Sequence, residues 1–256
     1  PDAFWQQNRH DTLTATESKV YSNIDSLEKM PSFRRTLAFA TFLLAGYTSF
    51  GPFEMGPAAA FYGFNPVEGF KLRLGGRTTP KLSKRIYFET YGAYGFKDER
   101  WKYFLSTTYS LNNKSIYTFP LKFIRASYQH DTKIPGQELQ FVQEDNFFLS
   151  FKRGLNDKWI YNDIFKLEYV HEFQNRLSYT LGFRNWRHTP AGSIVYNKFN
   201  NGVLQNIASI NTSEISAQVR WAPKEQFYQG KVYRIPIINK YPIFTLRYTA
   251  GVKGLF

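Results

Sequence analysis

Strict alternation of apolar and polar side chains over long runs is the feature that most limits what this chain can become. Residues 101–111 put Trp101, Tyr103, Leu105, Thr107, Tyr109 and Leu111 on odd positions, with Lys102, Phe104, Ser106, Thr108 and Ser110 on even ones. Residues 213–222 repeat the pattern: Ile215, Ala217, Val219 and Trp221 against Glu214, Ser216, Gln218 and Arg220. In a pleated strand successive side chains point to opposite faces, so each run is a strand with one apolar and one polar face. Two architectures accept such strands. In a soluble sandwich the apolar faces meet in a core; in a membrane barrel they face lipid and the polar faces line a lumen.

Period alone does not separate the two, but strand length and aromatic placement do. About ten strands are expected, at 57–63, 70–79, 84–95, 101–111, 119–129, 146–153, 159–173, 177–187, 213–222 and 241–251. Many reach the roughly 9–11 residues that a tilted strand needs to cross a bilayer, beyond the roughly 5–6 usual in soluble sheets. Aromatics make up 19% of the chain, which suits pleated surfaces. Four tryptophans, Trp101, Trp159, Trp186 and Trp221, fall at expected strand ends, where membrane barrels carry aromatic girdles. The fold class expected is therefore all-β: an antiparallel transmembrane (outer-membrane) β-barrel of about ten strands over residues 51–256.

One hairpin can be read to the register. If Gln174-Asn175-Arg176 is the turn and Phe173 pairs with Leu177, then Phe165 faces Asn185, Leu167 faces Phe183, Tyr169 faces Leu181 and His171 faces Tyr179. The polar face pairs Lys166 with Arg184, Glu168 with Gly182 and Glu172 with Ser178, leaving Glu168 diagonal to Arg184 for an ion pair. The long connections, 130–145, 188–212 and 223–240, do not alternate by side as barrel loops should. A strand is therefore expected to be missing from this reading, most readily within 188–212.

Residues 1–50 read as a helical, apolar lead-in. Thr14 and Glu17 have capping-box spacing, Val20, Ile24 and Leu27 share a helical face, and Pro31 ends the helix. Met30, Arg34-Arg35 and the apolar run Leu37–Leu44 imitate a signal sequence, but folded-looking sequence precedes them, so a second apolar helix or strand is expected. No charge falls between Thr36 and Phe53, yet only about ten of those residues are strongly apolar, against the roughly 20 of a spanning helix. Residues 1–10 are polar and unlike a signal peptide, which suggests a processed product or a piece of a larger protein.

The net charge of +13 raises the question of nucleic acid. The basic residues are dispersed, often singly between apolar ones as in Phe70-Lys71-Leu72-Arg73-Leu74, so lipid head groups or a hydrated lumen explain them better, and no nucleic-acid partner is expected. The absence of cysteine removes disulfides, thiolate metal sites and a cysteine nucleophile. His10, His130, His171 and His188 lack metal-ligand spacing, no G-x-S-x-G elbow occurs, and Gly75-Gly76-Arg77 lacks the Lys-Ser/Thr of a phosphate loop. His130-Asp131 is read as a polar pair near a strand end and His171 as an interface-level histidine. No catalytic, metal or cofactor residues are assigned, and no enzyme activity is expected.

The stretch Phe64-Asn-Pro-Val-Glu-Gly-Phe-Lys-Leu-Arg-Leu-Gly-Gly-Arg-Thr78, then Tyr91-Gly-Ala-Tyr-Gly95, Lys97-Asp98, Trp101-Lys102-Tyr103 and Lys240-Tyr-Pro-Ile-Phe-Thr-Leu-Arg-Tyr-Thr-Ala-Gly251 resemble a family of uncharacterised outer-membrane proteins of Bacteroidota. The resemblance covers most of 60–256. It implies a barrel similar to the BamA/TamA-type superfamily, preceded in full-length members by a non-catalytic carboxypeptidase-regulatory-like domain, and it implies that this chain is a fragment. The Val-Arg-Gly-Phe signature of that superfamily is not in the sequence. Read without the resemblance, Asn65–Gly69 is a tight turn in which Glu68 caps backbone N–H groups. The expected function is non-enzymatic: outer-membrane protein assembly, or a subunit of an envelope complex, with outer-membrane lipid and other envelope proteins as partners. The alternative is an outer-membrane pore or transporter.

Overall fold

The structure is a computed structural model that describes residues 14–136, 157–200, 202–230 and 233–253. The chain divides into two compact units, 1–46 and 47–256. The first is helical. Helix α1 (Ala15–Lys29) begins at the expected capping box: Glu17 N–H donates to Thr14 Oγ1 at 3.3 Å while Thr14 N–H donates to Glu17 Oε2 at 2.9 Å. Pro31 both stops α1 and opens α2 (Pro31–Ala45), where its missing N–H costs nothing at the first helical position. Gly46, at φ 78°, ends α2.

The second unit is an antiparallel sheet. Its strands are β1 (Thr48–Phe50), β2 (Phe53–Met55), β3 (Tyr62–Asn65), β4 (Gly69–Thr78), β5 (Ile86–Gly95), β6 (Arg100–Ser110), β7 (Lys122–Lys133), β8 (Lys158–Glu172) and β9 (Leu177–Gly192). Two short hairpin strands, β10 (Tyr196–Asn200) and β11 (Val203–Ile207), precede β12 (Ile210–Trp221); β13 (Phe227–Gln229) and β14 (Arg234–Pro236) precede β15 (Phe244–Gly251). The main sheet has eleven strands in the order β1-β2-β4-β5-β6-β7-β8-β9-β12-β15, with β3 beside β4. Among the described residues the sheet is open: β1 and β15 are its edges, and the barrel closure expected from the sequence is not made.

The β8–β9 hairpin has the register read from sequence. Phe165 pairs with Asn185, Leu167 with Phe183, Tyr169 with Leu181, His171 with Tyr179 and Glu172 with Ser178. Phe173 N–H donates to Leu177 O at 2.8 Å, and Arg176 closes the turn at φ 67°. Elsewhere the reading needs correction. The expected strand 57–63 is a 3-10 turn at Ala58–Ala60 followed by β3; Pro57 has no N–H to give a ladder. The expected strand 146–153 lies outside the described residues. The segment 188–212 extends β9 to Gly192 and then holds the β10–β11 hairpin. Residues 223–240, expected as a connection, carry β13–β14. The end of β7 and the start of β8 lie at the same end of the sheet as the end of β9 and the start of β12, while the end of β12 and the start of β15 lie at the other.

Candidate membrane interface and the ionic cluster behind it

Within β4 and β6 the sheet buries lysine and arginine side chains and exposes the apolar side chains beside them. In β4, Lys71 and Arg73 are 4% and 5% exposed, while the alternate Leu72 and Leu74 are 47% and 65% exposed. In β6, Lys102 is fully buried between Trp101 at 66% and Tyr103 at 46%. A soluble sheet does the reverse, because burying an ammonium costs far more than burying a leucine gains. The sorting follows from the pleat, and cross-strand pairing carries it across the sheet. One outward row runs Phe88, Thr107, Ala126, Leu167, Phe183, Ile215; the next runs Ile86, Tyr109, Ile124, Tyr169, Leu181, Ala217.

Polar rows bound this apolar face on β7 and β8. At one end His130 pairs with Asp163, and Asp163 with Arg187; at the other Lys122 pairs with His171. Eight residues separate Lys122 from His130, a span of about 26 Å at about 3.3 Å per residue. Aromatics sit against the boundary: Tyr103 stacks on His130 with centroids 5.5 Å apart, and Tyr128 Oη donates to Asp163 at 3.3 Å. The tryptophans follow the girdle expectation only in part. Trp101 and Trp221 face outward near strand ends, Trp221 stacked on Phe244 at 5.9 Å. Trp159 is buried against Val67, Ile134 and Ala191, and Trp186 lies within β9, its indole N–H donating to Asn162 Oδ1 at 2.8 Å.

Behind β4–β7 lies an ionic cluster that the sequence did not reveal. Asn65 Oδ1 accepts from Val67 N–H at 3.1 Å and Glu68 N–H at 2.8 Å, so Asn65, not Glu68, holds the turn. Glu68 is thereby turned inward and fully buried. Lys102 Nζ lies 3.0 Å and Lys71 Nζ 3.2 Å from its carboxylate, Thr132 Oγ1 donates to it at 3.0 Å, and the Asn65 amide donates as well. Lys102 also pairs with Asp98 at 2.6 Å, and Tyr161 Oη donates to Asp98 at 2.8 Å. A second limb runs from Lys71 to Asp131 at 3.8 Å; Tyr91 Oη donates to Asp131 at 2.5 Å, Gln129 Nε2 donates to Tyr91, and the Arg73 guanidinium lies 3.6 Å over the Tyr91 ring. Gly69 makes the turn fit: it sits at φ +66°, and a Cβ there would stand 2.8 Å from Lys97 Cβ. At the opposite end the 111–121 connection contributes Ile116 and Tyr117 to the cover; burial pushes the Tyr117 phenol up to about 12.

The adjacent pair His130-Asp131 is split. His130 Nδ1 meets Asp163 at 2.5 Å, whereas Asp131 belongs to the buried cluster. His171 packs among Tyr169, Tyr179 and Phe173. The expected Glu168–Arg184 contact gives way to Arg184–Glu214 at 2.5 Å, because β12 presents Glu214 directly opposite Arg184. Among the described residues, no group of three or more His, Asp or Glu is arranged to hold a metal, and no helix is long and apolar enough to cross a membrane.

The profile of a protein family described as "Family of unknown function (DUF5686) C-terminal domain" matches residues 51–256. No curated protein and no solved structure matches the chain.

Proposed function

The chain belongs to the DUF5686 family through its C-terminal domain, and we propose that this domain is a non-enzymatic outer-membrane β-barrel that assists outer-membrane protein assembly or serves as a subunit of an envelope complex. The observation that carries this reading is the inverted sorting on β4 and β6: Lys71, Arg73 and Lys102 are buried, while Leu72, Leu74, Trp101 and Leu105, at positions of opposite parity on the same strands, are exposed. Lipid is the solvent in which that sorting is favourable. The distance between the polar rows supports it too: about 26 Å along β7, tilted by about 40°, covers about 20 Å of depth, close to the roughly 25 Å apolar band of such barrels. The Bacteroidota origin and the likeness to BamA/TamA-type barrels belong to this same proposal. A pore is the second reading, favoured by a recess of about 530 Å³ lined by Lys166, Glu168, Arg184, Glu214 and Arg247. Its lining mixes both signs, which argues against a selective channel.

The test uses the full chain in lipid vesicles with a bimane label on Leu105→Cys or Ser106→Cys. Quenching by brominated lipid is expected at 105 and not at 106; equal quenching at both would refute the lipid-facing assignment. Planar-bilayer conductance separates the two readings. Silence supports action through contacts, and large, steady, ohmic conductance replaces it with the pore.

A further inference from the structure

We propose that α2 is a membrane-surface anchor, sunk into the headgroup–acyl boundary of a bilayer with anionic head groups; the inference rests on the membrane reading of the sheet. Helix α2 carries Arg34 and Arg35 in its first turns, no acidic residue anywhere, and no charge from Thr36 to its end. Its apolar side chains are exposed: Leu37 54%, Phe39 62%, Leu43 57% and Leu44 90%. At about 100° per residue, Leu37 and Leu44 fall on one side of the helix, and Phe39 and Leu43 lie about 100–160° around from them, beyond a single narrow stripe.

That distribution decides the occupant. A protein groove covers one stripe of a helix and leaves the far side in water. Lipid covers both. A helix about 10–12 Å across that sinks about 5–10 Å below the headgroups has most of its circumference in an apolar medium. Fifteen residues make about 22 Å of helix, short of the roughly 30 Å needed to span, so the helix lies in the surface rather than crossing. The paired arginines supply the attraction to lipid phosphates, worth about 1 kcal/mol for each basic residue near an anionic surface. Helix α1 differs in kind. Its first turn is acidic, Lys29 is held by Asp25 at 2.6 Å, and its apolar residues Val20, Ile24 and Leu27 keep to one face. In sequence, only Gly46 and Tyr47 separate α2 from β1, so the chain passes directly from the helix into the apolar-faced sheet.

The absence of native cysteine makes the test direct. The full chain, with a single bimane-labelled cysteine at Phe39, Leu44, Leu105 or Ser22, is reconstituted in phosphatidylcholine–phosphatidylglycerol vesicles. Brominated lipid is expected to quench the labels at 39 and 44 several-fold more than the label at 22, which iodide should reach from water. Iodide reaching 39 and 44 as it reaches 22 overturns the anchor. Protection of either position from both quenchers also overturns it, since protein then covers that side. Lipid quenching at 39 and 44 without quenching at 105 upholds the anchor and removes the membrane reading of the sheet; quenching at 105 alone does the opposite. Adding Arg34→Glu with Arg35→Glu should lower quenching at 39 and 44 but not at 105, and unchanged values would overturn the role of anionic head groups.

Discussion

The inward, polar face of the sheet has two halves that solve the same problem differently. Over β4–β6 it is sealed: Lys71, Arg73, Tyr91, Lys102, Phe104, Ser106 and Thr108 are all buried, and Glu68 and Asp131 are built in among the cations. From β8 through β12 the inward Lys166, Glu168, Arg184, Ser216 and Gln218 are only half-buried, and on β15 Thr245, Arg247 and Thr249 are exposed. Both halves have the same alternation in sequence. The difference lies in cover. The 65–69 turn folds over the first half and supplies a carboxylate between two lysines, whereas the second half runs out to the free edge at β15. Charge on an inward strand position is therefore not one thing: in the first half it is structural, in the second it is still solvated.

The sharpest break of this comparison is to remove one lysine from each half. Lys102→Met leaves Glu68 and Asp98 buried with less compensation, and breaking a buried pair in this way costs about 3–5 kcal/mol. Lys166→Met removes a half-buried, solvated charge and should cost less than about 1 kcal/mol. Urea unfolding of the lipid-reconstituted protein, followed by tryptophan fluorescence, measures both. If Lys102→Met does not fold, Glu68→Gln provides the milder cut. Similar losses at 102 and 166 would erase the distinction between the halves.

The outward face, by contrast, should behave alike over both halves. Leu181→Arg places a guanidinium near the middle of the apolar rows and should cost about 2–4 kcal/mol in lipid. Thr180→Arg, one residue away and inward in the half-open region, should be tolerated. The same unfolding assay decides: equal costs would refute the lipid-facing assignment, and a larger cost at 180 than at 181 would mean that the faces are exchanged.

Two glycines sharpen the contrast at smaller scale. Gly69→Ala forces a Cβ into left-handed backbone and against Lys97, and should cost about 1–2 kcal/mol before any rearrangement. Gly251, on β15, has open space where a Cβ would stand, with nothing within 4 Å, so Gly251→Ala should be neutral or slightly stabilising. Thermal unfolding of the two variants beside the parent protein reads the difference, and a costly Gly251→Ala would mean that the β15 edge is covered.

Local information was legible and non-local information was not. The β8–β9 register could be read because its short turn, Phe173-to-Leu177 closure and matched apolar sets all lie within one hairpin. The Thr14 cap was legible for the same reason. The Glu68 cluster draws on the 65–69 turn, β4, β6, β7 and the β5–β6 connection, up to 64 residues away at Thr132, and no spacing announces it. The one available signal was that Lys71 and Lys102 sit on polar faces with no carboxylate on their own strands to meet them. The three-residue strands β1, β2, β13 and β14 are too short to show a period. Glu168 lost Arg184 to Glu214 because a hairpin-level reading could not know that β12 would pair with β9.

That exchange of partners gives the smallest and most discriminating prediction. Arg184 and Glu214 are 31% and 29% exposed, so water screens them, and a pair of this kind contributes about 0–1 kcal/mol. A double-mutant cycle with Arg184→Met and Glu214→Gln should return a coupling in that range, and 1 M salt, with its Debye length of about 3 Å, should reduce it further. The equivalent cycle in the sealed half, Lys71→Met with Glu68→Gln, joins side chains 5% and 0% exposed and should couple more strongly, with little response to salt. A salt-insensitive Arg184–Glu214 coupling would show that the second half is covered as the first is. The recess between Lys166 and Arg247 would then be a closed polar core, and the pore reading would lose the cavity that favours it.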